Sequence, residues 1–463
     1  MAKKSRIWDF FDGLKGDKVV WMIVIILIMI SGVCIFSSTS MEREVLSGEK
    51  TRIDVALDLM KTIVLGVGLL LVCYNFFSTK FYRILAQAGF IGSLFLLAIV
   101  VTKFQGIPFF KASTINGAWR VIKVGGLQIH IYEVIKVAMV LYLAWAVDEF
   151  NNGKYWIADK LSKLKHMHWL AKPFWQKAVY IYIPMLIIMG GVAKGSGSSA
   201  LFIFAVMAVT ILVGGLGIRD ILPIGMVAVG LVAGVLFLDK ATDGAILKDS
   251  RLSTWKSRLE GSGDDEERFL NAEYKSDEWY DALDKIRQPY SAKIAIHEGG
   301  LIGKGPGQST QRYVVPVMYE DYMFSFIVEE YGLWGGIIVI ILYVSLLARG
   351  SLIARNCKNG FGKITIAGLV LMITGQAMLH MLVNEGIGPL TGQTLPLISY
   401  GTSSFLMFCI AFGIILSISR ESTKDIDKQT RNAEPLVIQR EGIQGELDVL
   451  DSFDSGNDIE EEI

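Results

Sequence analysis

Residues 386–404 read Gly-Ile-Gly-Pro-Leu-Thr-Gly-Gln-Thr-Leu-Pro-Leu-Ile-Ser-Tyr-Gly-Thr-Ser-Ser and contain no charged side chain. Glycine and proline are too frequent here for an ordinary membrane helix, yet the segment leads directly into the apolar run 405–419. Irregular backbone at membrane depth is tolerated only where protein or a water-filled cavity surrounds it, because lipid offers no hydrogen-bond partners. The sequence therefore predicts that residues 386–404 form an irregular element lining a site inside a membrane protein.

The rest of the chain is typical of a polytopic membrane protein. Of its 463 residues, 52% are hydrophobic, and the mean hydropathy is +0.45. Uncharged runs close to the roughly 20 residues needed to cross a bilayer recur along the chain. We predict an all-α polytopic membrane protein with about ten transmembrane helices. They are placed at residues 19–36, 56–78, 84–102, 127–147, 178–193, 199–217, 221–238, 322–348, 364–384 and 401–419.

The distribution of Lys and Arg indicates the orientation of these helices, since short cytoplasmic loops carry an excess of both residues. With the N-terminus inside, the inside segments hold 18 Lys and Arg residues and the short outside segments hold 8. Both termini are therefore predicted to be cytoplasmic. Residues 1–18 form the inner N-terminus, 19–420 the membrane domain, and 239–321 a large outer loop between helices seven and eight. The tail 421–463 has 13 acidic and 4 basic residues and is expected to be disordered.

Ionisable side chains in predicted membrane segments are candidates for function, because burying a charge in a bilayer is costly. Glu133 and Lys136 are three residues apart in helix four and so share one helical face. This spacing suits either mutual neutralisation between helices or a functional pair, and the sequence leaves both open. Glu329 and Glu330 face different directions in helix eight, so at least one should point into the bundle. We group Arg120 with these four as intramembrane polar residues.

The end of the outer loop combines a glycine-rich run with a carboxylate. The glycines between residues 299 and 307 allow positive φ angles, so the run forms either a structural turn or a turn whose amides and Lys304 face an anion. Asp321 is predicted to begin helix eight, where a carboxylate accepts hydrogen bonds from the first helical amides. The helix dipole also keeps such a carboxylate ionised, which suits a general base. Helix cap and general base both remain open for Asp321.

Four motifs resemble, in the same order, those of the FtsW/RodA (SEDS) family of peptidoglycan glycosyltransferases. They are Asn116-Gly-Ala-Trp-Arg120 followed by Glu133 and Lys136, the glycine motif of residues 292–309, the Asp321 motif of residues 315–333, and Thr394-Leu-Pro-Leu-Ile-Ser-Tyr-Gly-Thr-Ser-Ser404. The resemblance covers most of residues 19–420. It is closer to the FtsW branch than to the RodA branch, because the last motif begins Thr-Leu-Pro rather than Pro-Leu-Pro.

The chain departs from the family pattern at several positions. Ile131-Tyr132 stands where Pro-Ser precedes the glutamate, and residues 194–199 replace a Pro-Asp-x-Gly-Thr motif. Val317 and Tyr319 replace a Glu and a His just before Asp321, and Thr402 replaces a Gly. The surroundings of the retained aspartate are therefore unusual for the family.

The resemblance implies that this chain polymerises lipid II, a disaccharide-pentapeptide on undecaprenyl pyrophosphate, at the outer face of the bacterial inner membrane, and at the division septum in particular. A β-1,4 bond formed from an α-linked donor inverts the anomeric carbon. Direct displacement needs a base for the acceptor hydroxyl and stabilisation of the charge on the departing pyrophosphate. The resemblance assigns the base to Asp321.

Further contacts follow from the same resemblance. A divalent cation, Mg or Mn, is expected to share the charge of the pyrophosphate, and no organic cofactor is expected. The expected partners are a class B penicillin-binding protein that acts as transpeptidase, other division proteins and membrane lipid, but no nucleic acid. The candidate residues for pyrophosphate or sugar are Arg251, Arg258, Lys304, Gln308, Arg312, Ser399, Ser403 and Ser404.

Two other functions fit the same sequence. A lipid II flippase or transporter would also use intramembrane charges and broken helices. It should tolerate loss of the Asp321 carboxylate and be more sensitive at Glu133 or Lys136. A non-catalytic scaffold of the division machinery would depend on the acidic tail and not on Asp321.

Overall fold

The computed structural model describes residues 15–38, 52–105, 110–115, 118–124, 127–153, 160, 168–241, 267–315, 318–388 and 391–422. Its helices are α1 (Lys18–Ser38), α2 (Arg52–Phe76), α3 (Thr79–Val101), α4 (Ile131–Asn151), α5 (Pro173–Ala193), α6 (Gly197–Val213), α7 (Ile218–Ala241), α8 (Asp277–Gly299), α9 (Met318–Asp321), α10 (Met323–Asn356), α11 (Gly360–Asn384) and α12 (Thr402–Ser422). The acidic tail beyond Ser422 lies outside the described residues.

The predicted polytopic membrane fold is confirmed. In the described part of the chain, seven helices are long and apolar enough to cross a membrane: α1, α2, α3, α5, α10, α11 and α12. Helix α6 is apolar but shorter, and α4 and α7 overlap two further predicted positions. Helix α4 carries Glu133, Lys136, Asp148 and Glu149, which lower its hydropathy. The count of ten membrane helices stays a prediction.

A small antiparallel sheet precedes α4 and was not predicted. Its strands are β1 (Phe110–Ile115), β2 (Ala118–Val124) and β3 (Leu127–His130), in the order β1-β2-β3. Helix four was predicted to begin at residue 127, which is wrong, because Leu127–His130 pairs with β2 and the helix begins at Ile131. A short apolar run has no period that separates a strand from the first turn of a helix.

Helix α4 lies at the centre of the bundle. It packs against α3, α6 and α11, and every side chain from Ile135 to Asp148 is buried. Helix α10 packs against α1, α8 and α11. This arrangement places the N-terminal parts of α4 and α10 on either side of the α11 C-terminal half and of the irregular segment that follows it.

The first and last described residues meet at one end of the bundle. Asp17 N donates to Ser419 Oγ at 3.0 Å, and Asp17 pairs with Arg349 at the same end, with 2.5 Å between carboxylate and guanidinium. Thr79 N donates to the Glu421 carboxylate at 3.1 Å. The chain therefore enters and leaves the bundle on the same side.

Candidate functional site

Of the two roles left open for Asp321, the N-cap position of α10 is taken by Tyr322 and not by Asp321. Asp321 is the last residue of the short helix α9, and Tyr322 occupies the N-cap position of α10 without a side-chain cap bond. Two early amides of α10 are instead satisfied by side chains of α11. Phe324 N donates to His380 Nε2 at 3.4 Å, and Ser325 N donates to Asn384 Oδ1 at 2.9 Å. A neighbouring helix therefore supplies the acceptors for these two amides.

Asn384 fixes the backbone of Asp321. Its Nδ2 donates to the Asp321 carbonyl oxygen at 3.1 Å and to the His380 carbonyl oxygen at 2.8 Å. Its Oδ1 also accepts from Ser325 Oγ at 2.9 Å, and the side chain is buried. One amide therefore joins the end of α9, the start of α10 and the last turn of α11, so a shift of Asp321 would break several hydrogen bonds at once.

The Asp321 carboxylate lies beside the irregular segment. A Cβ atom built on Gly392, which has a φ of +60°, would lie 3.9 Å from Asp321 Oδ2. Two residues before Asp321, the Tyr319 carbonyl oxygen accepts from Tyr400 N at 2.9 Å. Asp321 itself is half-buried. The Asp321 side chain thus lies beside the uncharged segment, and the residue is not fully buried.

Side chains from the surrounding helices satisfy the backbone of the irregular segment, which confirms the prediction that protein surrounds it. Hydroxyl and amide groups from four different helices donate to its carbonyl oxygens. The bonds are Ser198 Oγ to Thr391 O at 3.1 Å, Gln376 Nε2 to Thr394 O at 2.9 Å, Tyr343 OH to Pro396 O at 2.5 Å, and Ser31 Oγ to Ile398 O at 3.0 Å. Unpaired carbonyl groups would be costly at this depth.

The three serines predicted to bind substrate take part in this scaffold. Ser399 Oγ accepts from Leu395 N at 2.9 Å, and Ser404 Oγ lies 2.7 Å from Thr394 Oγ1. Ser403 Oγ donates to the Gln128 carbonyl oxygen at 2.5 Å and accepts from His130 N at 3.1 Å. The serines thereby hold the turn of the segment and tie β3 to it. Their contact with substrate stays a prediction.

Lys136 is the centre of a buried polar cluster. Its Nζ lies 2.7 Å from Glu133 Oε1, 2.6 Å from Gln376 Oε1 and 3.1 Å from Gln393 Oε1. The predicted shared face of Glu133 and Lys136 is confirmed, and three acceptors match the three donors of an ammonium group. Arg120 was grouped with the intramembrane helix residues, but it lies on strand β2, which pairs with both neighbouring strands.

Both glutamates of α10 are buried, and both hold the outer-loop turn. Glu329 Oε1 accepts from Lys304 Nζ at 2.8 Å, from Thr310 N at 2.8 Å and from Gln311 N at 3.2 Å. Glu330 accepts from Ser37 Oγ at 2.7 Å and from Gly307 N at 3.0 Å. The anions that the turn faces in this structure are therefore the protein's own carboxylates.

A break in α10 makes room for the turn. Gly332 has a φ of +71°, and a Cβ atom at Gly303 would lie 2.3 Å from the Glu330 carbonyl oxygen. Only glycine permits this approach.

The ammonium group of Lys304 is stabilised by its partners. Burial alone would lower the pKa of Lys304, but its hydrogen bonds to Glu298 and Glu329 together have the larger effect, so the pKa is raised. The bond from Lys304 lowers the pKa of the Glu298 carboxyl.

The predicted pyrophosphate ligands are only partly described. Lys304 Nζ already has three partners, Glu298, Thr310 and Glu329, so an incoming phosphate would have to replace one of them. Arg312 donates to the Ser37 carbonyl oxygen at 3.0 Å and lies 3.9 Å from Glu330. Gln308 is exposed beside this turn. Arg251 and Arg258 lie outside the described residues.

No metal centre is formed by protein side chains alone within the described ranges. No group of three or more His, Cys, Asp or Glu side chains there lies close enough to hold an ion. The predicted Mg or Mn ion stays a prediction.

Two residues of the site were missed from the sequence. Asn384 was overlooked because it is a single polar residue at the end of an apolar run. A polar side chain in such a position needs hydrogen-bond partners, which could have identified it. Lys293, exposed on α8, lies with its Cε 2.2 Å from the position of a Cβ atom at Gly386. Among the described residues Lys293 forms no ion pair, and its ammonium lies 5.4 Å from the Tyr290 ring centre. It places a cation at the start of the irregular segment.

Two departures from the family pattern contact each other. A Cβ atom at Gly195 would lie 1.9 Å from Tyr132 OH. Tyr132 therefore fills space that any larger residue at position 195 would need. With Tyr132 in this position, the backbone at position 195 has room only for glycine.

The FtsW/RodA/SpoVE family model, described as "Cell cycle protein", matches residues 17–424. The "Probable peptidoglycan glycosyltransferase FtsW" of Coxiella burnetii is 28% identical over 428 residues, which cover 91% of this chain and 100% of the relative. "Stage V sporulation protein E" of Bacillus subtilis is 26% identical over 407 residues, covering 81% and 99%. The similarity extends through the whole membrane domain.

Two solved structures share the fold. A chain of a structure described as "Structural coordination of polymerization and crosslinking by a peptidoglycan synthase complex" aligns with a TM-score of 0.57 at 21% identity, covering 88% of this chain and 98% of the other. The rod shape determining protein RodA of Thermus thermophilus aligns with a TM-score of 0.54 at 20% identity, covering 89% and 99%. At these identities the likeness establishes the architecture.

Proposed function

This chain belongs to the FtsW/RodA/SpoVE family, and we propose that it is a peptidoglycan glycosyltransferase that polymerises lipid II with Asp321 as its general base. The observation that carries this proposal is the position of the Asp321 carboxylate. It is half-buried beside Gly392, while its backbone is fixed by Asn384. A carboxylate that is held in place and still reachable is what removal of a proton from an acceptor hydroxyl requires.

The chemistry is an inverting displacement. The acceptor hydroxyl attacks the anomeric carbon of the donor, its proton passes to an Asp321 carboxylate oxygen, and the bond from that carbon to the pyrophosphate oxygen breaks. Positioning supplies a large part of such a rate enhancement. Asn384 binds the carbonyl oxygen of Asp321 itself, and Tyr400 binds that of Tyr319 two residues earlier; both bonds support this positioning role.

Negative charge develops on the departing pyrophosphate and needs a cation. Arg251, Arg258, Lys304 and Arg312 are retained in this role, and we add Lys293. Its ammonium is exposed and lies against Gly386, two residues from the amide that holds Asp321. Lys304 has to give up one of its present partners before it can contribute.

Lipid II is membrane-anchored, so its polymerase must hold the sugar-phosphate end at the membrane surface. The protein is multi-pass, and we propose that it lies in the bacterial inner membrane at the septum, with both termini in the cytoplasm. The meeting of Asp17 and Ser419 at one end of the bundle supports a common side for the termini. Asp321 then faces the outer side.

A crosslinking partner completes the proposal. One structural relative is part of a peptidoglycan synthase complex that couples polymerization and crosslinking. We expect this chain to pair likewise with a class B penicillin-binding protein, the transpeptidase that crosslinks the new glycan. Other division proteins are expected to bind this pair.

The proposal is tested by incubating the purified protein with lipid II, with and without its transpeptidase, and resolving the products as a glycan ladder. Polymer in either reaction supports the transferase. Transfer of lipid II between leaflets of proteoliposomes without any polymer would favour the flippase. Absence of both activities in the presence of the transpeptidase would favour the scaffold.

A further inference from the structure

A polar cavity of about 510 Å³ opens at the end of the bundle where the described chain enters and leaves. This volume lies in the range of pockets that hold ligands, roughly 300–1,000 Å³. The cavity is lined by Arg83, Asp148, Asn151, Asn152, the glycines of the α6–α7 turn, and the residues Lys358, Asn359, Gly360 and Lys363 before and within the first turn of α11. None of these residues belongs to the site around Asp321.

The charge left over in this cavity is positive. Arg83 is neutralised by Asp148 at 2.8 Å and by Glu149 at 2.7 Å. Lys358 and Lys363 are exposed, and neither forms an ion pair within the described residues. Helix α11 begins at the cavity wall and adds the partial positive charge of its N-terminus. The cavity therefore suits a ligand whose carboxylates can pair with Lys358 and Lys363.

The chain leaves the bundle between the two sides of this cavity. Glu421 accepts from Thr79 N at 3.1 Å, and Thr79 lies one turn before Arg83 on α3. Ser422 Oγ donates to the Asn356 carbonyl oxygen at 3.1 Å, two residues before Lys358. Whatever follows Ser422 starts at the rim of the basic cavity.

One segment of this chain has the charge opposite to that of the cavity, which makes it the candidate occupant. Three segments of the chain connect in sequence to described residues at this end of the bundle, before Lys15, after Gly153 and after Ser422. Segments 1–14 and 154–167 contain more Lys and Arg than Asp and Glu, whereas segment 441–463 contains 9 acidic and no basic residues. The intervening residues 423–440 would span about 23 Å as a free chain, which allows the acidic segment to fold back to the cavity.

We propose that the acidic segment 441–463 docks on the cavity of this same chain, with its carboxylates against Lys358 and Lys363. Each exposed ion pair is weak. Tethering raises the effective concentration of the segment to about the millimolar range, so several weak pairs suffice.

The native thiol of Cys357 allows a direct test. Cys357 is half-buried next to Lys358, whereas Cys34, Cys73 and Cys409 are buried. In the full-length protein, Ser452→Cys places a thiol within the acidic segment. A short bismaleimide should join it to Cys357 within one chain, detectable as a crosslinked peptide by mass spectrometry. Cys357→Ser should abolish that product.

Two further comparisons of the crosslinking rate distinguish docking of the acidic segment from simple proximity through the tether. They are reversal of the cavity charges and a second cysteine position in the tail. With Lys358→Glu and Lys363→Glu together, crosslinking from position 452 should slow about three-fold or more, as expected for lost exposed ion pairs. Crosslinking from Val437→Cys, in the uncharged stretch 435–438, should not change. Lys123→Glu, an exposed change on β2, should affect neither position. Equal rates from position 452 before and after the double reversal, or an equal slowing at both tail positions, would overturn the proposal.

Discussion

Asn384 donates a hydrogen bond to the backbone carbonyl of Asp321, with 3.1 Å between the Asn384 Nδ2 and the carbonyl oxygen. The same side chain accepts from Ser325 at the start of α10 and donates to His380 on its own helix. A buried amide with four hydrogen bonds can hold only one geometry without leaving a donor or acceptor unpaired. The backbone of the proposed base is therefore positioned in part by α11.

Asn384→Ala tests this positioning. We expect a loss of about 1–3 kcal/mol in the free energy of unfolding, because buried partners lose their hydrogen bonds. We also expect polymerisation to fall about 100-fold, as a small displacement of a catalytic group is enough for that. Thermal unfolding and the rate of lipid II consumption check the two effects. Unchanged activity in a folded variant would remove Asn384 from the account.

Lys293→Met tests the added cation. Loss of charge near the departing pyrophosphate should lower the polymerisation rate about ten-fold or more. Lys123→Met, which removes an exposed lysine from β2, is the matched control and should leave the rate unchanged. The rate of lipid II consumption is measured for both variants with the transpeptidase present. Equal rates for the two variants would contradict a role for Lys293 in stabilising the departing pyrophosphate.

The Glu133–Lys136 pair should show strong coupling. Glu133→Gln alone leaves the buried Lys136 charge without its carboxylate, and we expect a cost of about 3–5 kcal/mol in the free energy of unfolding. Glu133→Gln with Lys136→Met removes both charges and should recover much of this loss. Unfolding of the single and double variants gives the coupling energy. Additive losses would contradict a functional or structural pair.

The His130 side chain predicts a pH dependence of stability. Burial, and then the charge of Arg120, lower the pKa of His130 from its ordinary value of 6.5. The unfolded chain therefore binds a proton before the folded chain does, and stability is lost as the pH falls below about 6.5. The melting temperature should drop between pH 7.5 and pH 5.5. His130→Gln should show a smaller drop, and an equal drop in this variant would contradict the assignment.

The positions of the seven long apolar helices in the described part of the chain were predictable because each apolar run is long and bounded by charge. The irregular segment was predictable for a similar reason, since residues 386–404 combine lack of charge with glycine and proline. The shared face of Glu133 and Lys136 follows from helical spacing alone, and the ion pair at 2.7 Å confirms it. These features depend on local sequence.

Features that depend on partners distant in sequence were not predictable. Strand β3 is defined by its pairing with β2, which no period within residues 127–130 reveals. The acceptors for Phe324 N and Ser325 N at the start of α10 come from His380 and Asn384, some 60 residues later in the chain. The role of Glu329 in holding the outer-loop turn likewise requires the break at Gly332, which brings that turn onto α10.

The most direct test of the central claim is the amount of glycan polymer formed by Asp321→Asn, measured beside Glu320→Gln. Both variants remove one carboxylate from adjacent positions and leave the side-chain volume nearly unchanged. With matched folding and membrane insertion, Asp321→Asn should form no glycan ladder from lipid II, whereas Glu320→Gln should form one like the unmodified protein. A full ladder from Asp321→Asn would contradict the assignment of Asp321 as general base.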